Sequence, residues 1–293
     1  MKKYLALLMV ILTFGFLNAK DSKEAKLPKA ISKLLDKAVK GETSRDDLQF
    51  EFLKDLYYPA QQGNIYFVNF AKANLPDLEE GKPAHLFLRL YDKKGKKIRD
   101  YYAPINKKSN IYSFAITFKP DFYKTAVLMA TNDFKQISVK TREIKGENLI
   151  NFRKLSTTPI IFLKGMKKLP EVVKEFHCYN GEFPLGLYMV YPFLENSFKG
   201  GQTPAVFFFV TGAQAKKPAN TYSIVVSYEI KKDGKSISKF PKQELTYSVV
   251  YQPIPLKSKG KPLEAGDYEL HITIFDMNAR EKIEKVVPFK ITL

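Results

Sequence analysis

The residues able to do chemistry in this 293-residue chain are few and scattered. Its three histidines, His85, His177 and His271, are far apart in sequence, whereas a histidine-based zinc site needs two or three that converge. The single cysteine, Cys178, follows His177 directly. A cysteine activated by histidine is a nucleophile, but adjacent residues on a strand point to opposite faces, so this pair is poorly placed and a small buried thiol is expected. Asp77, Glu79 and Glu80 come closest to a calcium loop and lack its other ligand positions. Gly234-Lys235-Ser236 has the look of a phosphate-loop tail, yet Glu229 stands where that motif requires glycine, which leaves a hairpin turn. There is no H-E-x-x-H, G-x-S-x-G or C-x-x-C spacing. No catalytic, cofactor-binding or metal residue is therefore nominated. Paired carboxylates of a glycoside hydrolase meet only in the fold, so an enzyme with such a site is the alternative to a binding protein.

The chain opens with Met1, Lys2 and Lys3, continues uncharged from Tyr4 to Leu17, and reaches Ala19 before Lys20. A basic start, a short apolar stretch and a small exit residue predict a signal peptide over 1–19. Spanning a bilayer takes about 20 apolar residues, more than this run supplies. No later stretch is long enough either, so the mature chain is expected to be periplasmic or secreted, with no transmembrane segment. One cysteine allows no internal disulfide.

The net charge of +18 falls to +16 when the two lysines of residues 1–19 are removed. Such a charge attracts anionic partners. The lysines are spread along the chain and arginine, the residue suited to gripping phosphate, is scarce. Solvated lysines on strand faces and edges account for most of the charge. Export argues against nucleic acid, and peripheral contact with an anionic membrane surface remains as a partner.

The elements divide by period. Over 20–46, Leu27, Ile31, Leu34, Leu35, Ala38 and Val39 recur at helical spacing among lysines. This predicts a basic amphipathic helix, or a leader, ending near Gly41. Such a helix can lie on a membrane, but the modest stripe favours docking on the first domain or a loose tether. From Leu48 the period becomes that of strands, rich in aromatic and β-branched residues and separated by turn signals, which predicts a sandwich. The pattern then repeats. Lys93-Lys94-Gly95 and Asp121-Phe122-Tyr123 in the first half answer to Lys232-Asp233-Gly234 and Gly266-Asp267-Tyr268 in the second. The two turn glycines lie 139 residues apart and the two tyrosines 145. An all-β fold with two tandem immunoglobulin-like sandwich domains is expected, over 47–150 and 156–293. Tyr123 and Tyr268 are placed as tyrosine corners, whose hydroxyls bond back to the backbone.

Three segments, Ser156 to Leu163, Tyr228 to Lys235 and Leu263 to Leu270, resemble exported bacterial proteins that carry β-sandwich modules beside a GWxTD or a von Willebrand factor A-like domain. The GWxTD motif is absent, since the chain has no tryptophan, and no Asp-x-Ser-x-Ser motif appears. The resemblance implies an accessory β module of the cell envelope and transfers no site residues. The chain is expected to be a non-catalytic interaction protein that holds a protein or an envelope polymer through sandwich loops or edges, with the loop Ala213 to Asn220 as a candidate. Adhesion to anionic surfaces by charge is a further alternative.

Overall fold

The computed structural model describes residues 24–106, 108–216 and 221–292. The signal peptide expected over 1–19 lies outside them, as does the tip of the candidate loop at 217–220. The described residues are mostly β, with several sheets and one short α-helix among them, and are compatible with an all-β sandwich. No described helix is long and apolar enough to cross a membrane.

The described chain forms two compact units, one of residues 24–149 with 167–190 and the other of residues 150–166 with 191–292. Residues 167–190 fall in the predicted second set by sequence but join the first unit in space.

In the first unit, α1 spans Lys29–Val39. Strands follow as β1 (Arg45–Asp46), β2 (Glu51–Pro59), β3 (Ile65–Lys72), β4 (Ala84–Asp92), β5 (Lys97–Ile105), β6 (Ile111–Phe118), β7 (Phe122–Ala130) and β8 (Ile137–Lys145). One sheet has the order β1-β8-β7-β4-β5; the other runs Cys178–Tyr179, β6, β3, β2. Neighbours are antiparallel. The β4 alternation puts Leu86, Leu88 and Leu90 on one face and His85, Phe87, Arg89 and Tyr91 on the other. The second set meets α1, whose Ile31, Leu35 and Ala38 form one cluster with Phe87, Tyr91, Ala126 and Leu128. Docking, one of the two arrangements expected of this helix, is the one adopted. Its end is a Schellman turn: Gly41 at φ 74° donates to the Ala38 carbonyl and Glu42 to that of Lys37.

Arg89 fastens the helix. It is 3% exposed and every nitrogen of its guanidinium is engaged. Nε and Nη2 donate to the two carboxylate oxygens of Asp100, Nη1 to Asp36 and the Ser32 carbonyl, and Nη2 also to the Ser32 hydroxyl. Burial alone would lower its pKa, but Asp100 and Asp36 more than offset that and hold it above the ordinary value. A second arginine, the half-buried Arg142 on β8, bridges the two sheets. Its Nη1 donates to both oxygens of Asp55 at 2.7 and 2.8 Å, and its guanidinium lies over the Phe52 ring at 4.1 Å. Nε and Nη2 of Arg142 have no partner among the described residues, and burial lowers its pKa.

The segment 167–190 covers the outer face of the second sheet. Cys178–Tyr179 pairs with β6, the Tyr66 hydroxyl donates to the Pro184 carbonyl at 2.7 Å, and Ser113 donates to the Glu182 carbonyl. Phe183 is fully buried, stacked on Tyr58 and edge-on to Phe70.

In the second unit, one sheet runs Ser197–Lys199, Glu281–Thr292, Gly266–Asp276, Ile224–Lys232, Lys235–Lys239. Opposite it, Ala205–Thr211 pairs with Ile161–Lys168 and Val249–Pro253. Ala205–Thr211 is buried on both faces, in keeping with its continuous apolar run. The turn after Ile224–Lys232 has Asp233 and Gly234 both at positive φ, the backbone a two-residue hairpin requires. The Tyr268 hydroxyl donates to the Glu264 carbonyl at 2.9 Å, four residues back, as a tyrosine corner does. Tyr123 is buried, with its ring 5.0 Å from that of Phe118, and shows no such bond to a carbonyl among the described residues.

Candidate functional site

An aromatic shelf stands on the outer face of the first sheet, beside α1. Strands β4 and β5 set it: His85 pairs with Pro104 and Phe87 with Tyr102, so His85, Phe87 and Tyr102 rise on one face. The β7–β8 turn brings Phe134 over them. The ring of Phe134 stacks on His85 at 4.7 Å with 9° between planes, and Tyr102 lies 5.1 Å from Phe87. Phe87 is the buried floor; Tyr102 and Phe134 are 39% and 36% exposed.

Phe134 has φ 58°, a left-handed backbone that bulky residues rarely adopt. The turn holds it there. Phe134 donates its N–H to the Thr131 carbonyl at 3.0 Å, and the Thr131 hydroxyl donates to Asp133 at 2.7 Å. Asp133 also accepts the Lys135 N–H at 3.1 Å. These bonds, that from Thr131 foremost, bring the Asp133 carboxyl down to about 2. His85 Nδ1 lies 3.2 Å from the Tyr102 hydroxyl. Burial lowers the His85 pKa, so its ring is neutral at neutral pH. Strained conformations held by a rigid surround cluster at functional sites. Flat rings with a neutral imidazole and a phenol at the rim suit the apolar face and hydroxyls of a ligand.

The residues with chemical promise in the sequence lie elsewhere, His85 excepted. His271 is in the other unit and bonds Glu269 at 2.8 Å. His177 is exposed, while Cys178 is half-buried with its thiol directed to the Tyr179 carbonyl at 3.9 Å, so the two make no pair. Burial pushes the Cys178 thiol far above its ordinary value. Glu79 pairs with Lys82. Gly234-Lys235-Ser236 leads out of the hairpin turn, as its spacing predicts. Among the described residues no group of three or more His, Cys, Asp or Glu side chains is arranged to hold a metal. At the loop end of the second unit, Tyr222, Glu244, Thr246 and Met277 line a shallow depression. The base of the candidate loop is tied down beside it, with Gln214 donating to the buried Asp276 at 2.7 Å.

Sequence reasoning did not single out the shelf. Its members are ordinary strand aromatics until the register joins them. The available signal was the turn Asn132-Asp133-Phe134-Lys135, which places a large apolar ring where glycine or asparagine is usual.

No family model and no curated protein matches the chain. Among solved structures, it is similar over 88% of its length to dimeric latent PorU from Porphyromonas gingivalis, at 8% identity and a TM-score of 0.34. The match spans 21% of that protein. It is also similar over 77% of its length to 93% of the interferon gamma receptor alpha chain of chicken, at 9% identity and a TM-score of 0.23. At those scores neither likeness bears on what this chain binds.

Proposed function

We propose that this is an exported, non-catalytic interaction protein of the bacterial cell envelope, built from two tandem immunoglobulin-like modules, that holds a protein or an envelope polymer on the aromatic shelf of its first module. The carrying observation is the shelf itself: two exposed rings over a buried aromatic floor, Tyr102 set by the register of β4 with β5 and Phe134 by a turn that keeps it in a strained backbone. The repeated sequence pattern, with turn glycines Gly95 and Gly234 139 residues apart, supports the reading as two modules of one kind. The sequence resemblance to accessory β modules, and the signal-peptide pattern, support the envelope.

The test is capture of envelope and secreted fractions of the source cell by the mature protein, residues 20–293, washed at low and then high salt. The expected result is a discrete partner that survives high salt with the unaltered protein and is lost with the Tyr102→Ala, Phe134→Gly double variant. Retention of the same partner by the double variant would remove the shelf as the contact surface. Binding that washes away entirely would leave only attraction by charge.

A further inference from the structure

Helix α1 has a second face. Its apolar side is occupied by the first sheet, and its only acid, Asp36, is engaged by Arg89 and by the Tyr91 hydroxyl at 2.9 Å. What remains outward is basic. Lys29, Lys33, Lys37 and the C-cap Lys40 follow one another at steps of three and four residues, and all four are exposed. That spacing aligns them on one stripe. Lys40 lies 4.0 Å from Glu42; the other three make no ion pair among the described residues.

This stripe is unfavourable for the helix that bears it. Like charges at i,i+4 repel. Lys29 sits in the first turn, where the helix dipole favours an acid, and that turn contains none. The N-cap is Pro28, which offers no side-chain bond. A segment that breaks several local rules while its other face is well anchored is the signature of a site. The composition of the stripe also selects its ligand. It contains no arginine to grip a phosphate bidentately and no aromatic ring to stack on a base or a sugar. Lysine ammoniums on flexible stems suit a surface of diffuse negative charge, and a helix lying flat presents them all at once.

We infer that the outward face of α1 docks the protein on a membrane surface of anionic lipid headgroups. The inference is independent of the aromatic shelf. It is tested with the exported protein as isolated, the triple variant Lys29→Glu, Lys33→Glu, Lys37→Glu, and a control, Lys235→Glu, Lys259→Glu, Lys261→Glu, which alters net charge equally at exposed positions of the other unit. Each is sedimented with vesicles of phosphatidylglycerol mixed with phosphatidylcholine and with vesicles of phosphatidylcholine alone. Circular dichroism confirms the fold, and a Lys29→Gln, Lys33→Gln, Lys37→Gln variant stands in if the charge reversal unfolds the helix. The expected result is binding of the unaltered protein to the anionic vesicles only, lowered roughly tenfold or more by the helix variant and within about twofold by the control. Equal loss in both variants, loss in neither, or equal binding to phosphatidylcholine would each overturn the assignment. So would a helix-variant defect seen with heparin, an acidic glycan, but not with vesicles.

Discussion

Phe134 shows how a single residue can oppose the backbone that holds it. A left-handed conformation costs a bulky side chain on the order of 1 kcal/mol or more, and glycine at the same φ does not bear that cost. Phe134→Gly removes the strain and also the stack on His85, terms of similar size. The expected change in unfolding free energy by urea titration is therefore within about 1 kcal/mol of zero. His85 adds a pH dependence of definite sign. Its folded pKa lies below the ordinary histidine value, so the unfolded chain takes up the proton first and stability falls as pH drops below about 6.5. A His85→Gln variant should lose that part of the slope when melting temperature is followed between neutral and mildly acidic pH. Asp133 stays ionised until about 2, so the turn outlasts the histidine as pH falls. Little of this site was legible beforehand. Alternation marks His85 and Phe87 as sharing a face, but only the register of β4 with β5 adds Tyr102, and only the turn adds Phe134.

Buried Arg89 and half-buried Arg142 make opposite predictions for the elements they join. Arg89 satisfies Asp100, which is 4% exposed, and fastens α1 to its sheet. Arg89→Met leaves that carboxylate with only the long 3.4 Å contact from Lys97 and should destabilise the protein by roughly 3 kcal/mol. Arg142→Met removes a guanidinium with two unpartnered nitrogens, and its partner Asp55 has a side chain 37% exposed that returns to water. Replacing such a charge with a packed apolar chain should cost under about 1 kcal/mol or stabilise. Urea titration of both variants checks the contrast. At the tyrosine corner, Tyr268→Phe loses one bond to the Glu264 carbonyl and should cost about 1 kcal/mol. The strands were legible because their period is short and repeated. Gly266-Asp267-Tyr268 announced the corner for the same reason: its partner lies four residues away. The helix announced its apolar stripe through Ile31, Leu35 and Ala38, but what the stripe meets depends on Arg89, more than fifty residues downstream.

At the scale of the whole molecule, the segment 167–190 sets the division of the chain. Its strands are two or three residues long at Cys178–Tyr179 and Phe183–Leu185, too short to show a period. Its contacts reach back as far as the 118 residues from Pro184 to Tyr66. Nothing local in Lys167 to Tyr188 announces that destination. Phe183→Ala should cost the first unit about 3–5 kcal/mol. Hydrogen exchange would then show lost protection in β3 and β6, with the strand Gly266–Asp276 unchanged. The same segment fixes a timetable. A chain is made from its N-terminus, so β2, β3 and β6 exist before their cover does. The 65 residues from Lys119 to Phe183 must be added first, which at about 5–20 residues per second takes roughly three to thirteen seconds. For that interval Tyr58, Tyr66 and Phe70 are an uncovered apolar face on a newborn chain, and a holding chaperone has its opportunity there.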